Sequence, residues 1–279
     1  MKVTKMHGLG NDFIVFTDKV EGQTKDYAAA ARKWCDRHTG IGADGLIIIT
    51  TSDVADVRMR IINADGSEAE MCGNGIRCFA KYAYEQGEVK GTSFTIETLA
   101  GIMKPTLTVE NGLVTQVTVD MGKPFFAPKE IPMLTEQPMD KVKQYPITID
   151  GQKLLVSSVL MGVPHTEVYV DDVSTIDVTQ MGPKIEKYKA FPKGTNVNFV
   201  EVVDKNHIKI RTWERGAGAT LACGTGSCGS AVMSYENGYT DRNVDVELYL
   251  GTLHIEYKED GTVLMTGPAV IVFETDIDL

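Results

Sequence analysis

Two short stretches of the chain carry the same chemical pattern, a cysteine followed by Gly-x-Gly and then by an apolar-periodic run. They are Cys72-Gly73-Asn74-Gly75 and Cys223-Gly224-Thr225-Gly226. The runs that follow predict a helix in each case, so each thiol is expected at a helix N-terminus. The amides and the positive end of the helix dipole stabilise a thiolate there and attract a carboxylate.

A thiolate and a thiol are the pair that inversion at a carbon next to a carboxylate requires. One removes a proton from one face and the other delivers a proton to the opposite face, while the developing negative charge is held between them. The pattern therefore predicts that Cys72 and Cys223 form the acid and base of a racemase or epimerase. The backbone amides expected to bind the carboxylate follow the two cysteines: Gly73, Asn74, Gly224 and Thr225.

The elements around the two cysteines recur in the same order. Three pairs of residues at matching places in this order are each 151 positions apart: Arg60 and Arg211, Asn63 and Glu214, and Cys72 and Cys223. We interpret this register as an internal duplication. It predicts an α+β protein of two homologous mixed α/β domains, with the active site in the cleft between them.

Local patterns place the boundaries of these halves. The proline-rich stretch from Lys123 to Pro146 predicts a linker. In the first half, a helix is expected over about Asp26 to Arg37, with Cys35 inside it as a half-buried structural thiol. In the second half, Gly162 to His165 is expected as a turn and Glu167 to Val170 as a strand.

Composition excludes several classes of protein. The chain has 28 basic and 38 acidic residues, a formal charge of −10, and no basic block, which argues against a nucleic-acid surface. It has no apolar run near the roughly 20 residues of a membrane span and no secretion signal, so we expect a cytoplasmic protein with no membrane partner. Five cysteines, an odd number, indicate reduced thiols.

Competing motifs are weak. Gly224, Gly226 and Gly229 match the dinucleotide fingerprint, but no parallel βαβ pattern surrounds them. The spacings from Cys72 to Cys78 and from Cys223 to Cys228 differ from those of zinc sites, and no Cys-x-x-Cys occurs. We therefore expect neither a metal nor a cofactor. His165 fits equally a neighbour that sets a thiol pKa and a turn histidine bonded to the backbone.

Motifs along essentially the whole chain resemble those of the diaminopimelate epimerases. They are Lys5-Met6-His7-Gly8-Leu9-Gly10-Asn11-Asp12-Phe13, Gly40-Ile41-Gly42-Ala43-Asp44-Gly45, Asn63-Ala64-Asp65-Gly66-Ser67, Met71-Cys72-Gly73-Asn74-Gly75, Asn196-Val197-Asn198-Phe199, Glu214-Arg215-Gly216-Ala217-Gly218 and Ala222-Cys223-Gly224-Thr225-Gly226. The resemblance implies a cofactor-independent epimerase that interconverts LL- and meso-diaminopimelate, on the way to lysine and peptidoglycan. Cys72 and Cys223 match the two bases of that family.

The resemblance also implies roles for further residues. His165 and Glu214 match residues that tune the thiols. Those expected to contact substrate are Asn11, Asn63, Gly73, Asn74, Asn196, Glu214, Arg215, Gly224 and Thr225, with Arg215 suited to a bidentate grip on the distal carboxylate. The chain departs from the family pattern at three positions: Val163 and Gly45 replace polar residues found in relatives, and Phe273 replaces a tyrosine at a dimer contact.

In such a fold the C-terminal strand, about residues 268–279, returns to the first domain, residues 1–120, and residues 121–267 form the second. A homodimer that binds a small-molecule substrate is expected. The alternatives are a proline racemase-like enzyme, a phenazine-type isomerase, and a non-catalytic amino-acid-binding module.

The duplicated loops lead to a direct prediction. Cys72→Ala and Cys223→Ala should each abolish epimerisation, because each variant lacks either the group that removes the proton or the group that returns it. Steady-state assays in both reaction directions, under reducing conditions, measure this. Full activity in either variant would remove that cysteine from the chemistry.

Overall fold

The computed structural model describes residues 1–19 and 26–277, which form two compact units. Unit 1 comprises Met1–Asp120 and the C-terminal segment from Thr266, and unit 2 comprises Met121–Met265. The chain thus leaves unit 1, forms all of unit 2, and then returns to unit 1.

Unit 1 is built on a mixed sheet. Its elements are β1 (Lys2–Gly8), β2 (Asn11–Thr17), α1 (Tyr27–Trp34), β3 (Gly45–Thr50), β4 (Val57–Asn63), β5 (Glu68–Ala69), α2 (Gly73–Glu85), β6 (Ile96–Thr98), β7 (Gly101–Met103), β8 (Thr106–Glu110) and β9 (Leu113–Asp120). The strand that returns from the C-terminal segment, Val270–Asp276, is β19. The strand order is β19-β1-β2-β3-β4-β6-β7, and β5 pairs with β4.

Unit 2 repeats this plan. Its elements are β10 (Val142–Ile149), β11 (Gln152–Met161), β12 (Val163–Tyr169), α3 (Val178–Glu186), β13 (Asn196–Asp204), β14 (His207–Glu214), β15 (Gly218–Thr220), α4 (Gly224–Glu236), β16 (Asn243–Leu248), β17 (Gly251–Tyr257) and β18 (Val263–Gly267). Within unit 2 the strand order is β10-β11-β12-β13-β14-β16-β17-β18, and β15 pairs with β14.

Strand directions confirm the predicted duplication. From β1 to β7 the neighbouring strands pair antiparallel, parallel, antiparallel, parallel and antiparallel. From β11 to β17 the sequence of directions is the same. In both units a short hairpin strand, β5 or β15, precedes the helix that carries the Cys-Gly loop.

The central strand β3 of unit 1 is apolar on both faces because a helix covers each face. In β3 all six residues are buried. On one side Leu46 and Ile48 pack with Trp34 of α1. On the other side Ile47 lies beneath the first turn of α2, where a methyl group added to Gly75 would meet its Cδ1 at 3.3 Å.

One hairpin differs in length between the units. In unit 1, Gly8 pairs with Asn11, which leaves the two-residue turn Leu9-Gly10, both residues at positive φ as in tight hairpins. In unit 2, Met161 pairs with Val163 around Gly162 alone. The deletion accounts for a one-residue shift of register between the halves. Asn11 and Val163 each begin the strand after this turn.

Several local expectations were wrong. His165 does not lie in a turn: β12 begins at Val163, and His165 is a fully buried strand residue. The helix α1 ends at Trp34, and Cys35 is its buried C-cap. The expected linker ends earlier than predicted, because β10 begins at Val142. Among the described helices, none is long and apolar enough to cross a membrane.

Candidate active site

Cys72 is the N-cap of α2 and has polar neighbours on two elements. Its sulfur accepts a hydrogen bond from the Gly75 amide at 3.4 Å. Its thiol lies 3.4 Å from Oδ1 of Asn11, which also accepts a hydrogen bond from Nδ2 of Asn74 at 3.3 Å. Unit 1 therefore brings three of the predicted site residues together at the start of α2.

A charged network fixes the amide of Asn11. Its Nδ2 donates to Asp44 at 2.7 Å, which directs Oδ1 towards Cys72. Arg37 bonds both Asp44 and Asp12, and Lys5 bonds Asp12. Burial opposes ionisation of Asp12, but the hydrogen bonds from Arg37 and Lys5 prevail and hold its pKa at about 2. The carboxylate of Asp12 is thus ionised, and its bonds with Arg37 and Lys5 hold the turn in place.

Arg77 is a fully buried cation in the second turn of α2. Its guanidinium donates to the carbonyl of Gly73, to Oδ1 of Asn74 and to the carbonyl of Pro268, at 3.0–3.2 Å. These bonds leave Nδ2 of Asn74 directed at Asn11. Arg77 therefore orients the first turn of the helix from within the core of unit 1.

Cys223 is the N-cap of α4 and is buried, with 4% of its surface exposed. Burial, together with the nearby carboxylate of Glu214, raises the pKa of this thiol well above its usual range. The Thr225 hydroxyl, 3.6 Å from the sulfur, and the nearby Gly226 amide oppose the rise. The protonated thiol is therefore the favoured form of Cys223.

His165 connects to Cys223 through Thr225. Its Nε2 lies 3.0 Å from the Thr225 hydroxyl, and its Nδ1 lies 3.2 Å from Nδ2 of Asn198. The ring is fully buried. Burial, aided by the positive charge of Arg215, lowers the pKa of His165 to about 3. The imidazole is therefore neutral at physiological pH.

The chain of hydrogen bonds continues past His165 to a buried carboxyl group. Nδ2 of Asn198 also donates to Oε1 of Glu167 at 3.2 Å, and Oδ1 of Asn198 accepts from the Thr212 hydroxyl at 2.9 Å. Glu167 is fully buried, and burial raises its pKa to about 8. Its Oε2 has no hydrogen-bond partner among the described residues.

The equivalent positions in unit 1 carry no polar groups. The strand registers, in which His165 faces Asn196 and Phe13 faces Gly45, align the buried polar residues of unit 2 with apolar ones. The aligned pairs, named unit 2 first, are His165 and Phe13, Glu167 and Val15, Asn198 and Ile47, and Thr212 and Ile61. The two halves share a backbone plan but support their cysteines differently.

The remaining predicted residues of unit 2 lie at the ends of β13 and β14. Oδ1 of Asn196 accepts from the Arg215 amide at 2.7 Å, and the Arg215 guanidinium donates to the carbonyl of Lys193 at 2.7 Å. Glu214 accepts from the Thr220 hydroxyl at 2.6 Å. In unit 1, Asn63 ends β4, faces Gly45 and donates to Ser67. Gly45 thus occupies the position equivalent to Asn196.

The sequence interpretation missed Glu167, Asn198 and Arg77. A comparison of the two halves could have found them, because each is polar where its counterpart is not: Val15, Ile47 and Cys228 stand opposite them. Within the part of the chain that the structure describes, no group of three or more His, Cys, Asp or Glu side chains is placed to hold a metal ion.

Solved structures define the class of fold. A Bacillus anthracis phenazine biosynthesis protein of the PhzF family matches with a TM-score of 0.72 and 18% identity, covering 100% of this chain and 99% of its own. A probable proline racemase from Agrobacterium radiobacter matches with a TM-score of 0.69 and 15% identity, covering 100% and 93%. The chain therefore has the two-unit α+β fold of these proteins.

Sequence relatives narrow the class to one family. The diaminopimelate epimerase family model matches residues 3–127 and 157–272. A diaminopimelate epimerase from Caldanaerobacter subterraneus is 52% identical over the full length of both chains. Another from Desulfitobacterium hafniense is 49% identical, covering 98% of this chain and 97% of its own. The chain belongs to the diaminopimelate epimerase family and is an isomerase.

The buried neutral imidazole leads to a prediction about acid stability. The folded-state pKa of His165 is about 3, below the ordinary 6.5, so the folded protein binds fewer protons than the unfolded chain between these values. Its contribution to stability is complete above pH 6.5 and is lost as the pH falls towards 3. The difference in unfolding free energy between the wild type and His165→Gln should shrink by about 1.4 kcal/mol per pH unit in this window.

Urea denaturation at a series of pH values measures this difference. A difference that stays constant from pH 7 to pH 4 would show that His165 gains its proton over the same pH range in the folded and unfolded states.

Proposed function

We propose that this isomerase interconverts LL- and meso-diaminopimelate by a two-base mechanism in which Cys72 and Cys223 act on opposite faces of the α-carbon. The observation that carries the proposal is the repeated cysteine N-cap, which starts α2 in unit 1 and α4 in unit 2. Two curated relatives named diaminopimelate epimerase, about half identical over nearly the whole chain, support the choice of substrate.

The two thiols have different surroundings. Burial beside Glu214 favours the protonated form of Cys223, so Cys223 is the proton donor in one reaction direction. In that direction Cys72, once its thiol has lost the proton that faces Asn11, takes the α-proton as a thiolate, and the electrons of the C–H bond remain on the α-carbon. The S–H bond of Cys223 then breaks as its proton joins the carbon from the other face. The product state holds a Cys72 thiol and a Cys223 thiolate, and the reverse reaction exchanges the two roles.

Helix termini provide the electrostatic support for this reaction. The first-turn amides of a helix have no acceptor within the helix and attract negative charge. The amides that bind the carboxylate at the reacting centre, and stabilise the charge that develops there, belong to Gly73 and Asn74 in α2 and to Gly224 and Thr225 in α4. Catalytic donors of this kind are worth about 3 kcal/mol each where single ones have been removed.

Recognition of the distal, non-reacting end is assigned to Arg215, Asn196, Glu214, Asn11 and Asn63. Asn196 holds the main chain at Arg215, and Gly194 packs against its side chain, since a methyl group there would lie 3.0 Å from Cδ. A guanidinium fixed in this way suits bidentate binding of a carboxylate. Diaminopimelate carries such a group at its distal centre, and proline does not.

The proposed reaction takes place in the cytoplasm, where it supplies precursors of lysine and peptidoglycan, and it needs no cofactor or metal.

We further propose a homodimer formed through β19. This strand lies at the edge of the unit 1 sheet and exposes Val270, Val272 and Phe273, each more than two-fifths exposed. An apolar edge strand pairs readily with another chain.

Isotope exchange tests the proposed reaction. Incubation of the enzyme with LL-diaminopimelate in heavy water should form the meso isomer and incorporate deuterium at the α-carbon, because a solvent-exchanged thiol supplies the returning proton. Chiral chromatography and mass spectrometry measure both. Absence of the meso isomer under reducing conditions would refute the assignment.

Proline is the matched control substrate, since the fold is shared with a proline racemase. Exchange on proline but not on diaminopimelate would favour the racemase alternative. Binding of diaminopimelate without exchange would indicate a binding module.

The proposed dimer makes a separate prediction. Phe273→Asp should give a monomer in sedimentation-velocity measurements, because a charge on the β19 surface would be desolvated in the interface. Leu155→Asp, at a similarly exposed position in unit 2, is the control and should leave the dimer intact. A dimer that persists in Phe273→Asp would show that another surface forms the contact.

A further inference from the structure

The hydrogen bonds from Glu167 to Cys223 can run in either direction. Hydroxyl groups both donate and accept, a neutral imidazole carries its proton on either nitrogen, and a carboxamide presents a donor on one side and an acceptor on the other. Each link between Glu167, Asn198, His165, Thr225 and Cys223 therefore permits two polarities. Within this chain of hydrogen bonds the carboxyl group of Glu167 selects between them, because an ionised carboxylate accepts and cannot donate. Glu214 lies outside this chain of hydrogen bonds and acts directly on the Cys223 thiol.

With Glu167 ionised, the direction of every bond is fixed. Nδ2 of Asn198 uses one hydrogen for Glu167 and the other for Nδ1 of His165, while its Oδ1 accepts from Thr212. The proton of His165 then lies on Nε2 and is donated to Thr225. The Thr225 hydroxyl hydrogen remains for the sulfur of Cys223. This polarity stabilises a Cys223 thiolate.

With Glu167 protonated, the same atoms satisfy the opposite arrangement. The carboxyl group donates to Asn198 once the amide has turned so that Oδ1 faces it, and Nδ2 then donates to the Thr212 hydroxyl. The proton of His165 moves to Nδ1, and Nε2 accepts from Thr225. The oxygen of Thr225 then accepts the S–H of Cys223. This polarity stabilises a thiol.

We propose that Glu167 is a positioning residue that sets the direction of the hydrogen bond between Thr225 and Cys223. The inference rests on the proposed role of Cys223, and it extends that role to a carboxyl group that touches neither substrate nor thiol. Glu167 acts through three side chains, all on elements packed around the N-terminus of α4. Unit 1 has no counterpart, since Val15 and Ile47 occupy the equivalent positions.

The environment of Glu167 keeps both forms accessible near neutral pH. Burial raises its pKa to about 8, and Oε2 has no partner among the described residues that would hold it ionised. The titratable groups that face it from its own strand are His165 and Tyr169. From β13 it meets the neutral Asn198, and from α4 it meets the main chain at Gly229. Arg215 is the charged group that acts on His165.

This reversal of the hydrogen bond between Thr225 and Cys223, called the switch below, matches what Cys223 must do. In one reaction direction this residue begins as a thiol and ends as a thiolate, and in the other it does the reverse. If the Thr225 hydroxyl always donated to the sulfur, or always accepted from it, it would stabilise only the thiolate or only the thiol. A hydroxyl whose direction follows a carboxyl group with two accessible protonation states can support both.

The tautomer of His165 reports the switch directly and needs no substrate. In protein labelled with ¹⁵N-histidine, two-bond ¹H–¹⁵N spectra distinguish a proton on Nδ1 from one on Nε2. His165 should stay neutral from pH 6 to pH 10, yet its proton should move from Nδ1 to Nε2 as Glu167 ionises. A single tautomer over this range in the wild type would overturn the proposal.

Two variants separate the switch from a general electrostatic effect. Glu167→Gln should abolish the tautomer change, and Glu201→Gln, a half-buried glutamate on β13 bonded to Lys209, should retain it. Thr225→Val keeps the backbone amide and should retain the tautomer change while uncoupling it from the thiol. A tautomer change that persists in Glu167→Gln would contradict the proposal.

Alkylation by iodoacetamide tests the last hydrogen bond of the chain, the one between Thr225 and Cys223. The extent of alkylation of Cys223 is quantified by mass spectrometry of its peptide. The wild-type pH profile should show an inflection that coincides with the tautomer change, and this inflection should be absent in Glu167→Gln and Thr225→Val. An inflection that persists in Thr225→Val would show that Glu167 acts through space. Because these measurements use the free enzyme, their outcome does not depend on the identity of the substrate.

Discussion

The close approach of a helix N-terminus to the middle of a sheet is the constraint on which both thiols depend. In unit 2, a methyl group on Gly226 would lie 2.7 Å from Oδ1 of Asn198 and 3.2 Å from the sulfur of Cys223. In unit 1, Gly75 approaches Ile47 and Cys72 in the same way, at 3.3 Å. Real side chains almost never show a 2.7 Å approach, so glycine is required at position 226. At Gly75 the 3.3 Å contacts are tight, and a side chain there would have to displace Ile47 or Cys72 by a few tenths of an ångström. This contact presses each cysteine against the sheet and aligns the first-turn amides around it.

The two units share a backbone plan but place different charged and polar side chains behind their cysteine loops. Unit 1 places the buried cation Arg77 behind its cysteine loop and apolar strand residues beneath the loop. Unit 2 replaces the cation by Cys228 and lines the sheet beneath the loop with His165, Asn198 and the carboxyl group of Glu167. The repeated fold therefore surrounds two chemically identical nucleophiles with different side chains. The asymmetry comes from side chains beneath the helix, since the backbone that carries the thiols is repeated.

Sequence reasoning predicted the duplication and the cysteine N-caps because both leave periodic, short-range signals. It failed for His165, which was expected in a turn after Gly162. The glycine and Pro164 suggested a longer loop, but the hairpin closes around one residue and the strand begins at Val163. Glu167 was missed for another reason. A polar residue in a buried strand resembles an exposed position of an alternating strand until its partners across the sheet and on the helix are known.

The return of β19 to the edge of β1 has a consequence for biosynthesis. Strand β1 is translated first, yet its outer hydrogen bonds await Val270–Asp276, which emerge from the ribosome only after all of unit 2. The outer edge of β1 therefore stays open throughout elongation while unit 2 completes its own sheet. An exposed strand edge is prone to wrong pairing, and nascent chains of this protein are most vulnerable to misassembly in that interval.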